Sequence, residues 1–181
     1  WDRARVYTLE NYMEGGELIL GNKNNIIIGY ASMSIAGVDV GYTEGGVMLR
    51  KDVTYVDIEG DQASGIVKKH IALERYFLTT TLLEATLQNL QRVMQEREAN
   101  LTVGSSLFFG GQDPTVTEYV VTVTGKGVNG KTRTYTFYRA TPSENVEHPI
   151  GQRDAVSSVP LTFEVMKDSD NGDKIGYCVE A

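Results

Sequence analysis

Hydrophobic and polar residues alternate along most of the chain, and this alternation predicts a mainly β protein. The alternating segments are rich in β-branched residues and are separated by turns that contain Gly, Asn or Asp. Such a pattern is typical of a β-sandwich or barrel in which each strand has one buried face. The predicted strands are residues 26–35, 38–42, 47–58, 66–81, 105–109, 116–124, 132–140, 159–166 and 175–179.

One stretch has helical spacing instead, and it predicts a single flanking α-helix over residues 82–96. Its start has two candidates. Thr81 forms a capping-box pattern with Glu84, and Thr86 is an alternative N-cap residue. We expect the helix to pack on the sheet through one apolar stripe. That stripe consists of Leu83, Leu87, Leu90 and Met94.

Residues 47–81 form the most informative feature, a β-hairpin whose two strands are too long for a compact core. A turn-rich segment, residues 59–65, joins them. Simple alternation places one set of residues of the return strand on a drier face and another on a wetter face. Long strand edges need a partner, which indicates an assembly protein. The drier set is Val67, Ile71, Leu73 and Phe77, and the wetter set is Lys68, His70 and Glu74.

Length and charge favour one β domain with an arm. The 181 residues predict an N-terminal arm over residues 1–25, which orders on neighbouring molecules, and a single domain over residues 26–181. The formal charge of −7 argues against a protein that holds nucleic acid by its phosphates. Cys178 is the only cysteine, so no internal disulfide is possible; we expect it to be a small buried side chain. Charged residues near the N-terminus exclude a signal peptide core, and no apolar run reaches membrane-spanning length, so we expect a soluble chain without a membrane partner.

The segment GKGVNGKT, from Gly125 to Thr132, matches the sequence pattern of a phosphate-binding loop. Phosphate binding requires the loop to begin a helix whose amides face the phosphates. Here Lys131 and Thr132 lead into an alternating segment that predicts a strand. We therefore interpret the segment as a hairpin connection.

Other chemically suggestive groups lack the spacing of a site. The run DSDNGD, residues 168–173, has the carboxylate density of a calcium loop but not its residue order, so we expect a solvated turn, with Asn171 and Gly172 forming a hairpin. His70 is expected on a surface strand and His148 in a loop. Arg133 and Arg139 share a parity with aromatic residues, which alternation alone explains. We expect a structural protein rather than an enzyme, with no catalytic residue, metal or cofactor.

Residues 28–57, which include the segment IAGVDVGYTEGGV, resemble the tail tube proteins, or major tail proteins, of tailed bacteriophages. In that family a short strand leads through a Gly turn and a Val-Asp-Val-Gly-Tyr-Thr-Glu-Gly-Gly-Val motif into a long hairpin. Residues 79–90, TTTLLEATLQNL, are similar to the family segment that closes the hairpin and starts the helix. The motif residues carried over are Gly41, Tyr42, Thr43, Glu44, Gly45 and Gly46, with Gly37, Val38, Asp39, Val40 and Val47 beside them.

The resemblance implies a subunit that forms hexameric rings, stacked into a hollow tube that conducts the genome during ejection. The expected partners are other copies of the chain and other tail proteins, such as a sheath, tape measure, initiator or terminator. The expected location is the virion tail, with synthesis in the bacterial host cytoplasm. DNA would pass an acidic lumen without specific binding. Candidate lumen or inter-ring contacts near the hairpin tip are Asp57, Glu59, Asp61, Lys68 and Lys69.

Two other hypotheses remain open. A capsid decoration or adhesion module could use similar strands to cover a particle or to recognise a receptor. A nucleotide-binding protein would use residues 125–132, including Lys131. The first would attach to a particle without stacking on itself, and the second would bind ATP or GTP.

Overall fold

The computed structural model describes residues 25–59, 65–111, 116–143, 145–151 and 156–181. In these ranges the chain is mainly β, and the one α-helix is short. The predicted fold class is confirmed. The elements are β1 Ala31–Ile35, β2 Val38–Asp39, β3 Thr43–Glu59, β4 Ile66–Leu82, α1 Leu87–Val93, β5 Leu101–Thr102, β6 Ser106–Leu107, β7 Tyr119–Lys126, β8 Thr132–Pro142, β9 Val159–Met166 and β10 Gly176–Glu180.

Eight of the strands form one antiparallel sheet in the order β2-β1-β7-β8-β9-β4-β3, with β10 also paired to β8. Strands β9 and β10 use the same edge of β8 one after the other: β9 pairs with residues 139–142 and β10 with residues 133–137. Strands β5 and β6 form a separate small hairpin. The sheet is therefore continuous at one end and divided at the other, where β9 stops.

The core lies on one face of this curved sheet, because alternate residues of β1, β4, β7 and β9 point to the same side. Phe163 is fully buried, and its ring meets Tyr119 edge to face at a centroid distance of 6.5 Å. Strands β1 and β3, near opposite edges of the sheet, come within 8 Å at their Cα atoms. The sheet thus curls around its own core. Other core residues are Met33, Ile35, Leu78, Leu82, Val121, Val159, Leu161 and Val165, with Leu90 and Val93 from α1.

The helix exists but is shorter than predicted, because β4 continues through Leu82 and pairs with β9 there. Thr86 is the N-cap, and its Oγ1 accepts a hydrogen bond from the amide of Asn89 at 3.1 Å. The alternative start at Thr81 is wrong, since Thr81 lies in β4. The Glu84 carboxylate instead accepts a hydrogen bond from the Tyr42 amide. The helix ends before Gln95, whose φ is +55°.

Several strand boundaries differ from the sequence prediction. Residues 26–30 are not part of β1 and are exposed, and residues 40–42 are not part of β2. The segment predicted as one strand over residues 105–109 contains only the two-residue β6, paired with β5, which was not predicted. Of the N-terminal arm, residues 1–24 lie outside the described residues.

Asn171 and Gly172 form a turn, but the strands on either side do not pair with each other. Gly172 is left-handed, with φ of +67°, and a single antiparallel bridge joins Asp168 to Lys174. Both β9 and β10 pair with β8 instead. The hairpin prediction is wrong for this turn, because the two flanking strands pair with different parts of β8 and not with each other.

Candidate assembly surface

The long hairpin starts at a sharp corner built by the first residues of the sequence motif. Gly41 has φ of +81°, and a Cβ there would collide with the Glu84 carboxylate. That carboxylate accepts a hydrogen bond from the Tyr42 amide at 3.0 Å, and the Gly41 amide donates to Asp39 at 2.8 Å. Only glycine fits both the left-handed backbone and the close approach. The ring of Tyr42 points outward and is 77% exposed.

The second half of the motif shifts the register of the hairpin. Thr43 and Glu44 pair with the end of β4, and regular pairing resumes only at Met48. Gly45 and Gly46 occupy the shift with φ of +73° and +76°. The Thr80 hydroxyl donates to the carbonyl of Gly46 at 2.8 Å and holds this bulge against β4. The motif residues therefore form the base from which the hairpin leaves the sheet.

Beyond this base the hairpin projects from the domain. Strand β9 covers β4 only from Tyr76 to Leu82. The ten residues 66–75 pair with β3 alone, as far as the described chain shows, and at about 3.3 Å per residue they extend roughly 30 Å. We call residues 50–59 and 66–75 the ribbon. Both of its long edges lack a partner strand among the described residues.

The ribbon has two faces, and the sequence assigned residues to them incorrectly. Register shifts leave Val67 and Ala72 as extra residues on β4, so alternation reverses at each. Ile71 and Leu73 consequently lie on opposite faces. The core-side face carries Lys51, Val53, Tyr55, Asp57, Glu59, Ile66, Lys69, Ile71 and Glu74; the outer face carries Arg50, Asp52, Thr54, Val56, Ile58, Lys68, His70, Leu73 and Arg75.

Both faces expose apolar side chains. Tyr55 and Ile71 are about half exposed on the core-side face, as are Val56 and Leu73 on the outer face. Neither face is the dry one that simple alternation predicted. A two-stranded ribbon with two half-apolar faces is unstable in water by itself, so it needs contacts from outside its own domain.

Cross-strand charge pairs stiffen the ribbon. Lys51 Nζ lies 2.8 Å from a Glu74 oxygen and 5.3 Å from the centre of the Tyr76 ring. The hydrogen bond to Glu74 is the main reason that the pKa of Lys51 is raised to about 12. Strands β3 and β4 together carry five acidic and five basic residues, counted from their sequences. The described part of the hairpin is therefore neutral, and any acidic lumen must draw its charge from other residues.

The predicted contact residues near the tip separate onto the two faces. Asp57 and Lys69 face each other on the core side, with Lys69 Nζ 3.6 Å from Asp57 and 5.9 Å from the Tyr55 ring centre. Glu59 is on the same face, and Lys68 is on the outer face. Asp61 lies outside the described residues. Contacts of these residues with another ring stay a prediction, and Lys69 has an acidic partner within its own ribbon.

The segment at residues 125–132, which matches the pattern of a phosphate-binding loop, is a hairpin connection between β7 and β8, as the sequence predicts. The residue after Lys131 begins a strand, not a helix. Glu180 Oε1 accepts hydrogen bonds from the Val128 amide at 2.9 Å and from Arg133 Nη2 at 2.9 Å. These bonds, led by the Val128 amide, hold the pKa of Glu180 below its usual value of 4.5. The connection is thus fastened to the last strand by the chain's own carboxylate.

The acidic run at residues 168–173 is a solvated turn, as predicted. The Asp168 side chain accepts from the Asp170 amide at 3.1 Å and from the Asn171 side chain at 2.6 Å. The Asp168 carboxylate therefore stabilises the turn through hydrogen bonds within it. Among the described residues, no three His, Cys, Asp or Glu side chains are grouped so that they could hold a metal ion.

The remaining single residues give mixed outcomes. His70 is on a surface strand and His148 is in a loop, as expected. Cys178 is exposed on β10, so the prediction of a buried thiol is wrong. Strand β10 pairs only with β8 in the described chain and none of its residues is buried, so alternation along this strand does not imply burial. Arg133 and Arg139 do not form an open basic face, since Arg133 binds Glu180 and Arg139 binds Glu118 at 2.6 Å.

The sequence did not reveal a groove where the sheet divides. Beyond Met166, β10 continues along β8 while β4 leaves with the ribbon. The groove between them has a volume of about 720 Å³. A signal was present, because the turn at residues 168–173 interrupts two alternating segments, but local sequence does not say which strand each segment joins. The lining includes Ile71, Leu73, Tyr76, Val165, Met166 and Ile175.

No helix in the described parts of the chain is long and apolar enough to cross a membrane. No known family model matches the sequence, and no curated protein matches it. Among solved structures, the chain is similar to one from the cryo-EM structure of the anti-feeding prophage baseplate, six-fold symmetrised. The identity is 11%, the alignment covers 83% of this chain and 91% of that chain, and the TM-score is 0.43. An identity and a TM-score this low do not assign a family.

Proposed function

We propose that the protein is a structural component of a phage tail or of a related injection machine, and more specifically a tube subunit that forms stacked hexameric rings. The observation that carries the proposal is the ribbon, which leaves its own domain with edges that no described strand pairs and with exposed apolar side chains on both faces. The resemblance of residues 37–47 to tail tube proteins supports the same function, since these residues build the base of the ribbon.

Head-to-tail contact between copies accounts for the free edges. Within the described residues, the outer edge of β3 is the end of the sheet, and residues 66–75 of β4 have a free edge on the opposite side of the ribbon. Two different edges on one subunit favour a heterologous contact, which closes into a ring if the rotation between copies permits. Ring closure would pair exposed edges of neighbouring copies and would lower the tendency to aggregate.

The charge distribution suggests how such a tube passes nucleic acid. Strands β3 and β4 together carry as many acidic as basic residues and so offer no excess of lysine and arginine for holding phosphates, and the chain as a whole carries −7. Without net phosphate neutralisation there is little counterion release to favour binding. We therefore expect DNA to move along the wall without a specific site.

The test is the assembly state of the purified chain. We expect rings or tubes with six-fold symmetry by negative-stain electron microscopy, and a mass well above 20 kDa by light scattering. A protein that stays monomeric across concentration and salt would overturn the proposal. Attachment to a capsid or to a receptor without self-stacking would favour the decoration or adhesion module instead.

We also propose that the protein is not an enzyme. Residues 125–132 connect two strands, and the Val128 amide donates to Glu180. Titration with ATP or GTP should therefore show no saturable binding. Binding that is lost in Lys131→Ala would contradict this and would support the nucleotide-binding hypothesis.

A further inference from the structure

The groove at the division of the sheet lies between two strand edges that lack partners in the described chain. Its lining includes residues 71–76 of β4 on one side and Ile175, two residues before Tyr177 of β10, on the other. From there the edge of β10 that faces away from β8 continues, and it has no partner in the described chain. Val165, Met166 and Ile175 supply apolar surface at its closed end. Backbone donors and acceptors on both sides, with apolar side chains at the base, are what an added β-strand requires.

The same chain exposes a segment suited to that role. Residues 26–30, with the sequence IIIGY, are described but form no strand. Ile26, Ile28 and Tyr30 share one parity and are 70%, 82% and 96% exposed. An extended segment with three exposed apolar side chains on one face has strong β propensity and lacks a surface to cover it.

The segment cannot reach the groove of its own subunit. Ala31 pairs with Gly125 of β7, and a Cβ at Gly29 would lie 2.6 Å from the Lys126 side chain, so the backbone at Gly29 runs close beside the end of β7. Strands β8 and β10 lie between β7 and the groove, which makes a gap of roughly 14 Å at about 4.8 Å per strand. Residues 26–28 span at most about 10 Å.

We propose that residues 26–30 of one copy bind in the groove of a second copy as an added β-strand, between β10 and β4. This contact rests on the proposed self-assembly. It would occupy the edge of β4 over residues 71–75, which borders the groove, and would leave the edge of residues 66–70 and the outer edge of β3 to the contacts between ring neighbours. The added strand would supply backbone partners to both free edges, and its apolar stripe would cover the exposed groove surface.

Native Cys178 allows a direct test, because it is exposed on β10, three residues after Ile175 of the groove lining. Single cysteines are introduced at Ile26, Ile27, Ile28 and Tyr30, and the assembled protein is oxidised and run on a non-reducing gel. A paired strand brings opposite Cα atoms to about 4.5–5.5 Å, within the range of Cα separations that a disulfide spans. We expect covalent dimers and higher ladders with a two-residue alternation, so that position 27 differs from positions 26, 28 and 30.

Two controls define the result. Cys178→Ser in each variant should abolish the cross-links, and Ile150→Cys, at a loop residue that is 89% exposed, should not form them. Absence of cross-links at all four positions in assembled protein would overturn the proposal. Equal cross-linking at all four positions and at residue 150 would also overturn it, because that pattern describes random collision.

A second measurement does not depend on disulfide geometry. The double variant Ile28→Asp, Tyr30→Asp should raise the concentration needed for assembly at least tenfold while leaving the melting temperature of the monomer unchanged, since both side chains are exposed there. Ile150→Asp is the matched control and should assemble normally. Normal assembly of the double variant would contradict the added strand.

The two proposals fail in different ways. The wild-type chain could form no rings or tubes while the cysteine variants still cross-link at every second position. That result would contradict the tube function and support the groove contact. Rings could instead form without the cross-links and without an assembly defect in the double variant. That result would support the tube function and contradict the groove contact.

Discussion

At the scale of single residues, the motif acts through backbone geometry. Gly41, Gly45 and Gly46 all have positive φ, but only Gly41 also has a neighbour where a Cβ would be, namely the Glu84 carboxylate. The sequence identified these glycines by resemblance, and the structure supplies the physical reason for each. The ring of Tyr42 is 77% exposed and is therefore accessible to another molecule.

This difference gives a matched pair of variants. An alanine at φ near +75° costs about 1–2 kcal/mol by itself, so Gly45→Ala should destabilise by about that amount. Gly41→Ala should cost more, because its Cβ also displaces Glu84 and removes the acceptor of the Tyr42 amide. Urea unfolding at neutral pH measures both. Equal losses for the two variants would show that the Glu84 contact does not matter.

Glu180 predicts a pH-dependent effect. Its folded pKa is lowered by the Val128 amide and by Arg133, so its stabilising contribution is present above the ordinary pKa of 4.5 and is lost as the pH falls through the folded value. Glu180→Gln should therefore lower the unfolding midpoint at pH 7, with a difference from wild type that shrinks below pH 4.5. Glu147→Gln, in an exposed loop, is the control. A difference that is constant from pH 7 to pH 3 would refute this role.

At the scale of elements, alternation identified most of the strands and the long hairpin. Strand β9 has the predicted bounds, and β4 exceeds its predicted end by one residue. The failures occur where two local preferences compete. Leu82 was predicted to begin the helix, yet its pairing with Val159 in the sheet prevailed. The faces of the ribbon were misassigned because β-bulges at Val67 and Ala72 depend on the partner strand, which a single-strand pattern does not contain.

The helix start can be tested with the two candidate caps. Thr86→Ala should destabilise the protein by about 1 kcal/mol, because the Asn89 amide loses its acceptor. For a domain of this size that corresponds to a fall in melting temperature of about 2–4 °C. Thr81→Ala is the control and should lack this capping loss. A larger effect at Thr81 would indicate that the capping bond does not stabilise α1.

At the scale of the whole molecule, the domain and the ribbon have separate tasks. The core is closed by β1, β4, β7, β8 and β9 without the ribbon, whose residues make no part of the buried cluster. A change confined to the ribbon tip should therefore leave the domain folded. The tip lies farthest from the core, where contacts with another ring are expected.

Deletion of residues 59–65 tests this separation. We expect the melting temperature of the monomer to change little, and stacked tubes to be replaced by single rings or smaller species in electron micrographs. Replacement of residues 103–105, in the turn of the small β5–β6 hairpin, by Gly-Ser-Gly is a control that should leave stacking intact. Normal tubes after the tip deletion would contradict the proposed role of the ribbon.

The sequence by itself determined the β class, the existence and approximate length of the projecting hairpin, the hairpin at residues 125–132 and the solvated turn at residues 168–173. These features follow from alternation and turn chemistry, which act over a few residues. Only the tertiary structure decided the faces of the ribbon, the exposure of Cys178, the neutral charge pairing between β3 and β4, and the groove between β4 and β10. Those features depend on which strands become neighbours, and strand pairing joins residues far apart in the chain that no local pattern can connect.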